Sequence, residues 1–128
     1  MRWFLLLCIP ALFACKKTPD IESGRTESKL QFMAFADAEA ANGKSLYDTQ
    51  CARCHGETGK GDGPSAANFD VAPTNFTAWQ MPADEKIFAW IRDGGTVMGG
   101  SALMPSYQRT LSAKDIRDVG AYIKSLSK

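Results

Sequence analysis

Apolar residues are concentrated in four stretches of the chain, which polar or glycine-rich segments separate. The first is an unbroken apolar run from Trp3 to Ala14. The other three repeat apolar positions every three or four residues, which predicts helices over about 38–52, 84–93 and 112–127. No stretch alternates apolar and polar residues convincingly, as a half-buried strand would. The chain is therefore predicted to be all-α.

The first apolar run has the features of an export signal. It follows one positive charge, Arg2, and is too short for a bilayer span, which needs about 20 apolar residues as a helix. Its last residues, Leu12-Phe13-Ala14-Cys15, resemble the lipobox of bacterial lipoproteins. The resemblance implies that the signal peptide, residues 1–14, is removed and that Cys15 carries the lipid. The alternative is ordinary cleavage nearby, which leaves Cys15 as a free thiol.

Residues 15–36 are predicted to be the lipid-anchor cysteine and a flexible tether, because the chain from Lys16 to about Phe35 is polar and without period. The alternative for its last part, Leu30 to Phe35, is packing on the domain. A single acyl chain binds membranes only marginally, at ~10⁴ M⁻¹, but the lipoprotein modification supplies several. We therefore expect an exported protein, lipid-anchored to a bacterial membrane. Its folded domain, residues 37–128, is expected to face the periplasm or the cell exterior.

Two long loops separate the predicted helices, over 56–82 and 94–110. Loops of this length are uncommon in a small domain that must build its own core. Such loops can be ordered when they wrap around a bulky apolar cofactor, which supplies the core that they lack. The helices that flank them have clear ends: Gly94-Gly95 stops the second, and Ser112 with Asp115 resembles a capping box for the third.

The segment Cys51-Ala52-Arg53-Cys54-His55 is the attachment motif for c-type haem. Two thiols at this spacing can form thioethers with the two vinyl groups on one porphyrin edge. The adjacent imidazole then meets the iron. Cys51 and Cys54 are thus the predicted covalent anchors, and His55, the one histidine of the chain, is the predicted proximal ligand.

Three other interpretations use the same residues. A thioredoxin-type CxxC is expected beside a strand of a βαβ unit, whereas this one ends a predicted helix. A zinc site needs a fourth ligand, and the usual second Cys/His pair is missing. A plain disulfide leaves the histidine after Cys54 unexplained. One covalent haem c is therefore the predicted cofactor.

The chain from about Ala38 to Leu126 resembles a class I cytochrome c domain. The resemblance rests on motifs that occur in the family's order: Gly43 and Tyr47, the Cys-Ala-Arg-Cys-His-Gly run, Gly61-Asp62-Gly63-Pro64, Ile91-Arg92-Asp93-Gly94-Gly95, Met104-Pro105-Ser106-Tyr107 and Tyr122. It implies about three main helices with long loops wrapped around one covalent haem.

The resemblance also implies further haem contacts. The methionine before the proline, here Met104, is the second axial ligand, and the Pro64 carbonyl accepts a hydrogen bond from the other ring nitrogen of His55. The segment before Met104 is longer than the commonest spacing and contains Met98, the alternative ligand. Met104 is preferred because the proline after it stiffens the backbone, whereas Met98 lies in a glycine-rich stretch.

Three more side chains are candidates for the haem pocket. Trp79 and Trp90 are large enough to line it, and one indole N–H can bond a haem propionate, as in some relatives. Met81 is a lesser rival for the iron. For each tryptophan core packing is the preferred interpretation, and for Met81 it is packing in the haem pocket without binding the iron.

These features predict electron transfer. Two axial ligands from the protein leave no open position on the iron, and His/Met ligation raises the reduction potential. We expect a membrane-tethered carrier or haem subunit in a respiratory or related chain, with redox proteins as partners and no small-molecule substrate. It is not expected to be an enzyme by itself. The alternative is a haem enzyme or gas-sensing domain with an open distal site.

The charge balance argues against nucleic acid as a partner. The formal net charge is +1, and removal of Arg2 leaves 14 basic residues against 14 acidic ones. Binding to phosphates needs a clustered positive excess. The longest basic run is only Lys16-Lys17.

Overall fold

The computed structural model describes residues 35–127, so the predictions for the signal peptide, for Cys15 and for most of the tether lie outside it. Its four α-helices are α1 (Ala40–Gln50), α2 (Ala52–His55), α3 (Asp84–Val97) and α4 (Ala113–Leu126). Short 3-10 turns lie at Phe35–Asp37 and Ala66–Asn68. No strand occurs among the described residues, and the predicted all-α class is confirmed. None of their helices is both long and apolar enough to span a bilayer.

The first predicted helix is divided in two. The backbone leaves the α-helical path at Cys51 (φ −116°, ψ −37°), between α1 and α2. The Cys54 N–H consequently donates to the Cys51 carbonyl at 3.0 Å instead of reaching back four residues. The prediction of one helix through Ala52 is therefore wrong at its end, and the attachment motif lies on a separate single turn.

The other two helices begin and end close to the predicted residues. Helix α3 is interrupted at Gly94, as predicted, because this glycine adopts φ 78°, and one further turn extends to Val97. The capping box of α4 is confirmed: the Ser112 hydroxyl accepts from the Asp115 N–H, and the Asp115 carboxylate accepts from the Ser112 N–H, both at 3.1 Å.

The core lies where α1 crosses α4 and α3 packs beside them. Gly43 permits the crossing, since a Cβ atom there would overlap the carbonyl group of Asp118 in α4. One turn further along α1, Tyr47 packs edge-to-face on Tyr122 with ring centroids 5.1 Å apart. The fully or nearly fully buried side chains of the described residues are Tyr47, Phe88, Ile87, Ile116, Val119 and Asp118.

Residues just before α1 are packed on the domain. The Phe35 N–H donates to the Asp84 carboxylate at 3.1 Å, and the Phe35 ring lies over Gly120, where a Cβ atom would meet it. The Glu39 N–H donates to the Asp118 carboxylate at 2.8 Å. Phe35 therefore packs on the folded domain, which is the alternative expected for the end of the tether.

Candidate cofactor site

The residues predicted to hold the haem and its iron line one cavity of about 230 Å³. Cys51, Cys54 and His55 line it from the attachment motif, and Met104 lines it from the loop between α3 and α4. The two groups are far apart in the sequence, so only the fold places them on one cavity. This arrangement matches the donor set of a haem protein with two thioether anchors and two axial ligands.

The remaining walls of the cavity are mostly apolar. They include large side chains from both long loops and from helices α3 and α4: Phe69, Val71, Phe76, Trp90, Leu103 and Ile123. Among residues 35–127, no lysine, arginine, aspartate or glutamate lines the cavity. A flat apolar macrocycle fits such walls, because apolar surroundings with a few placed donors are typical of cofactor sites.

The ring of His55 is oriented by two contacts. Its Nδ1 lies 3.2 Å from the carbonyl oxygen of Thr74, and its ring stacks on Phe76 with centroids 4.6 Å apart. A carbonyl can only accept, so this contact assigns the proton to Nδ1 and leaves the Nε2 lone pair for a metal. Burial lowers the pKa of His55, and this effect outweighs the hydrogen bond to the Thr74 carbonyl, which raises it. The lowered pKa favours the neutral imidazole, the form that binds a metal.

The expected acceptor for His55, the carbonyl of Pro64, is not its partner in the structure. The backbone on either side of Pro64 is bound elsewhere, since the N–H groups of Gly63 and Ser65 donate to carbonyls of the attachment motif at 3.2 and 3.0 Å. The chain then returns past the histidine at Thr74, which accepts from Nδ1 instead. The role implied by the resemblance therefore passes to a different carbonyl of the same long loop.

Cys51 and Cys54 are not joined in a disulfide, and each is partly buried. Burial, with a smaller contribution from Cys54 nearby, raises the pKa of the Cys51 thiol to about 12. A redox-active CxxC needs the opposite shift, because the thiolate is the attacking species. The environment of Cys51 therefore disfavours the thioredoxin-type interpretation and suits a thiol consumed in a thioether bond.

The backbone of Met104 is held against the end of α3. Its carbonyl accepts a hydrogen bond from the Gly95 N–H at 2.9 Å. Gly94 allows this approach, because a Cβ atom there would lie 2.7 Å from the Ser106 nitrogen and 3.0 Å from the Met104 oxygen. Met98, at the end of α3, is not among the residues that line the cavity. The geometry thus favours Met104 over Met98 as the sulfur ligand.

Trp79, Trp90 and Met81 differ in their position relative to the cavity. Trp90 lines the cavity, whereas Trp79 packs on Phe76, with ring centroids 5.7 Å apart, as part of the core. Met81 packs against the core and is not a lining residue. Core packing is thus confirmed for Trp79, whereas Met81 packs against the core and not in the cavity where it was expected to pack. Trp90 is the tryptophan that lines the cavity.

Two residues of this site were not identified from the sequence. Thr74 acts through a backbone carbonyl, for which side-chain identity carries no signal. Phe76, buried against both His55 and Tyr47, lies in a loop without helical period. One feature of the sequence could have indicated Phe76: it is a large aromatic residue within a polar, proline-containing loop.

The helical fold, the paired thiols and the apolar cavity define a class of protein, the c-type cytochromes. Residues 38–123 match the family described as cytochrome c oxidase, cbb3-type, subunit III. This chain belongs to that family. It is accordingly a c-type cytochrome with covalently bound haem c.

Individual relatives agree with this assignment. Cytochrome c-554(547) of Halothiobacillus neapolitanus is 34% identical over 92 residues, which cover 69% of this chain and 97% of that protein. The cbb3-type cytochrome c oxidase subunit CcoP of an Azospirillum species is 32% identical over 96 residues, 71% of this chain. The match spans only 30% of that subunit, so it corresponds to one part of a longer protein.

A solved structure has a similar fold. It is a chain of the reducing HAO-like protein complex of Kuenenia stuttgartiensis, with a TM-score of 0.58 and 27% identity. The match covers 70% of this chain and 44% of that one. Proteins similar to this chain thus occur both as small cytochromes and within larger assemblies.

Proposed function

We propose that this chain is a membrane-tethered one-electron carrier with a single haem c. Cys51 and Cys54 hold the haem through thioethers, and His55 and Met104 bind its iron. One observation carries the proposal: all four side chains line the same cavity. When bound, the haem supplies a ferric/ferrous couple that changes by one electron.

The protein's own residues favour a carrier over an enzyme. The contact from Nδ1 of His55 to Thr74 keeps the imidazole in one orientation. The bond from the Gly95 N–H to the Met104 carbonyl holds the backbone of the methionine at the cavity wall. If both side chains bind the iron, no position would remain on it for oxygen or a substrate. We therefore propose no catalytic residue and no small-molecule substrate.

Residues 15–36 carry the proposed link to the membrane. A lipid on Cys15 would restrict the haem domain to one membrane surface while the tether lets it move. The domain would then exchange electrons with redox proteins at that surface, on the periplasmic or outer side of a bacterial membrane. The CcoP relative, whose name places it in an oxidase, supports partners of this kind.

The absorption spectrum of the matured full-length protein tests the carrier proposal. We expect a c-type reduced spectrum that resists acid-acetone extraction, because the haem is covalently held. Adding carbon monoxide to the reduced protein should leave the spectrum unchanged, since Met104 occupies the sixth position. A carbon monoxide adduct would instead support the haem enzyme or gas sensor, and a colourless product would refute haem binding.

Membrane fractionation tests the anchor separately. The variant Cys15→Ser should move from the membrane fraction to the soluble fraction with its haem spectrum intact. Cys8→Ser is the matched control, because Cys8 lies within the predicted signal peptide and should be removed with it. Retention of Cys15→Ser at the membrane would refute the lipid anchor and leave the haem proposal standing.

A further inference from the structure

A hydrogen bond joins the segment that carries Met104 to the segment that carries the cysteines. The Tyr107 hydroxyl donates to the carbonyl oxygen of Gln50 at 2.9 Å. Gln50 is the last residue of α1 and directly precedes Cys51. The two bonded residues are 57 positions apart in the sequence. The bond therefore connects the two separate parts of the chain that supply the proposed haem ligands.

The Gln50 carbonyl is available because of the break in the helix at Cys51. In a continuous helix this carbonyl would accept from the N–H four residues later, that of Cys54. The Cys54 N–H instead donates to Cys51 at 3.0 Å. A carbonyl at a helix end needs a partner from elsewhere, and the Tyr107 hydroxyl provides one.

Tyr107 is itself held on its other side. Its N–H donates to the Ile91 carbonyl at 3.1 Å, and the hydroxyl of Ser106 donates to the Arg92 carbonyl at 2.6 Å. Its ring lines the same cavity as Met104 and is only partly accessible to solvent. Tyr107 therefore spans the cavity edge between α3 and the end of α1.

We propose that the Tyr107–Gln50 hydrogen bond is a positioning contact for the distal iron ligand. It holds the Met104 segment against the attachment segment and so slows the departure of the methionine sulfur from the iron. Tyr107 acts through Met104 and does not itself touch the iron. The inference rests on the proposed function, in which Met104 is that ligand.

Cyanide binding to the ferric holoprotein tests this inference, because cyanide can bind only after the methionine leaves. Tyr107→Phe removes the hydroxyl and keeps the ring. We expect it to bind cyanide roughly three- to tenfold faster than the unsubstituted protein, the factor that corresponds to one net hydrogen bond. The charge-transfer band of methionine on ferric iron should still be present at equilibrium.

Tyr122→Phe is the matched control. It also removes one tyrosine hydroxyl, but Tyr122 packs on Tyr47 and does not line the cavity. Its cyanide-binding rate should stay within twofold of the unsubstituted protein. The denaturant midpoint of both variants is measured in parallel, so that a general loss of stability can be recognised.

Three results would overturn the inference. One is an unchanged cyanide rate in Tyr107→Phe, even with a lower denaturant midpoint, because the bond would then be merely structural. Another is equal acceleration in Tyr122→Phe. The third is absence of the methionine band from the unsubstituted protein, which would refute Met104 as the ligand as well. This last failure is seen before any substitution and is thus distinguishable from the first two.

Discussion

Gly43 in α1 lies directly against the carbonyl group of Asp118 in α4, so that a Cβ atom at position 43 would overlap the Asp118 oxygen. The three atoms nearest to that Cβ position belong to the backbone of Asp118 and Val119, which cannot move aside as a flexible side chain can. The distance between α1 and α4 therefore depends on the absence of a side chain at this one position.

Gly43→Ala is expected to destabilise the holoprotein by about 1–3 kcal/mol, the range for overpacking a tight contact. The direction is informative, because alanine is otherwise the better helix former. Denaturant unfolding measures the change. Ser45→Ala, at an exposed position of the same helix, should stay within about 0.5 kcal/mol. A Gly43→Ala variant as stable as the original protein would contradict the close crossing.

Met104→Ala is expected to lower the reduction potential and to open the iron to added ligands. The reason is the loss of the soft thioether that raises the potential of a His/Met haem. Met98→Ala is the control and should change neither property, since Met98 does not line the cavity. Potentiometry and imidazole titration measure both effects. If Met98→Ala shows both effects and Met104→Ala shows neither, Met98 and not Met104 is the iron ligand.

Gly94→Ala is expected to displace the Met104 segment. Gly94 has φ 78°, and a Cβ atom would also press on the Ser106 nitrogen and the Met104 oxygen. Gly99→Ala is a close control, because Gly99 has a similar φ of 76° but nothing within 4 Å of its Cβ position.

Both glycine substitutions should therefore cost about 1–2 kcal/mol for the left-handed backbone. Only Gly94→Ala should, in addition, weaken the charge-transfer band of methionine on ferric iron. Equal bands in the two variants would show that the approach of the Met104 segment does not depend on Gly94.

Asp118 makes stability dependent on pH. Its side chain is fully buried, and burial alone would raise the pKa of its carboxyl group. Hydrogen bonds from Lys114, Asn42 and the Glu39 N–H outweigh burial and lower the pKa below its usual 3.8. A lowered pKa in the folded state means that the stabilisation is present above pH 3.8 and is lost as the pH falls below it.

Asp118→Asn is expected to reduce the free energy of unfolding at pH 7 by about 1–3 kcal/mol, since it removes charged hydrogen bonds. The difference from the unsubstituted protein should shrink as the pH falls below 3.8, because the unfolded chain then takes up a proton that the folded Asp118 carboxylate takes up only at lower pH. Unfolding at several pH values measures it. The carboxyl groups of Asp84, Asp93 and Asp115 have lowered pKa values too, so only the difference between the two proteins reports on Asp118. A difference that is independent of pH would contradict the assignment.

Features that depend on a few neighbouring residues could be predicted from the amino-acid sequence. The attachment motif at Cys51–His55, the interruption at Gly94 and the capping of α4 by Ser112 and Asp115 are of this kind. Each is set by local conformational preference or by the spacing of reactive groups, so its chemistry is contained in a short segment. The resemblance to class I cytochromes extended these local features to a whole fold, which the helices and the core confirm.

Features that join distant positions required the folded chain. The loop after the attachment motif could have placed any of several carbonyls beside His55, and close packing selected Thr74, 19 residues away, over Pro64. The bond between Tyr107 and Gln50 likewise depends on a helix break and a loop path that meet only in three dimensions. Backbone carbonyls are chemically alike at every position, so residue identity cannot distinguish them; their partners follow from the one arrangement that fills the space around the cavity.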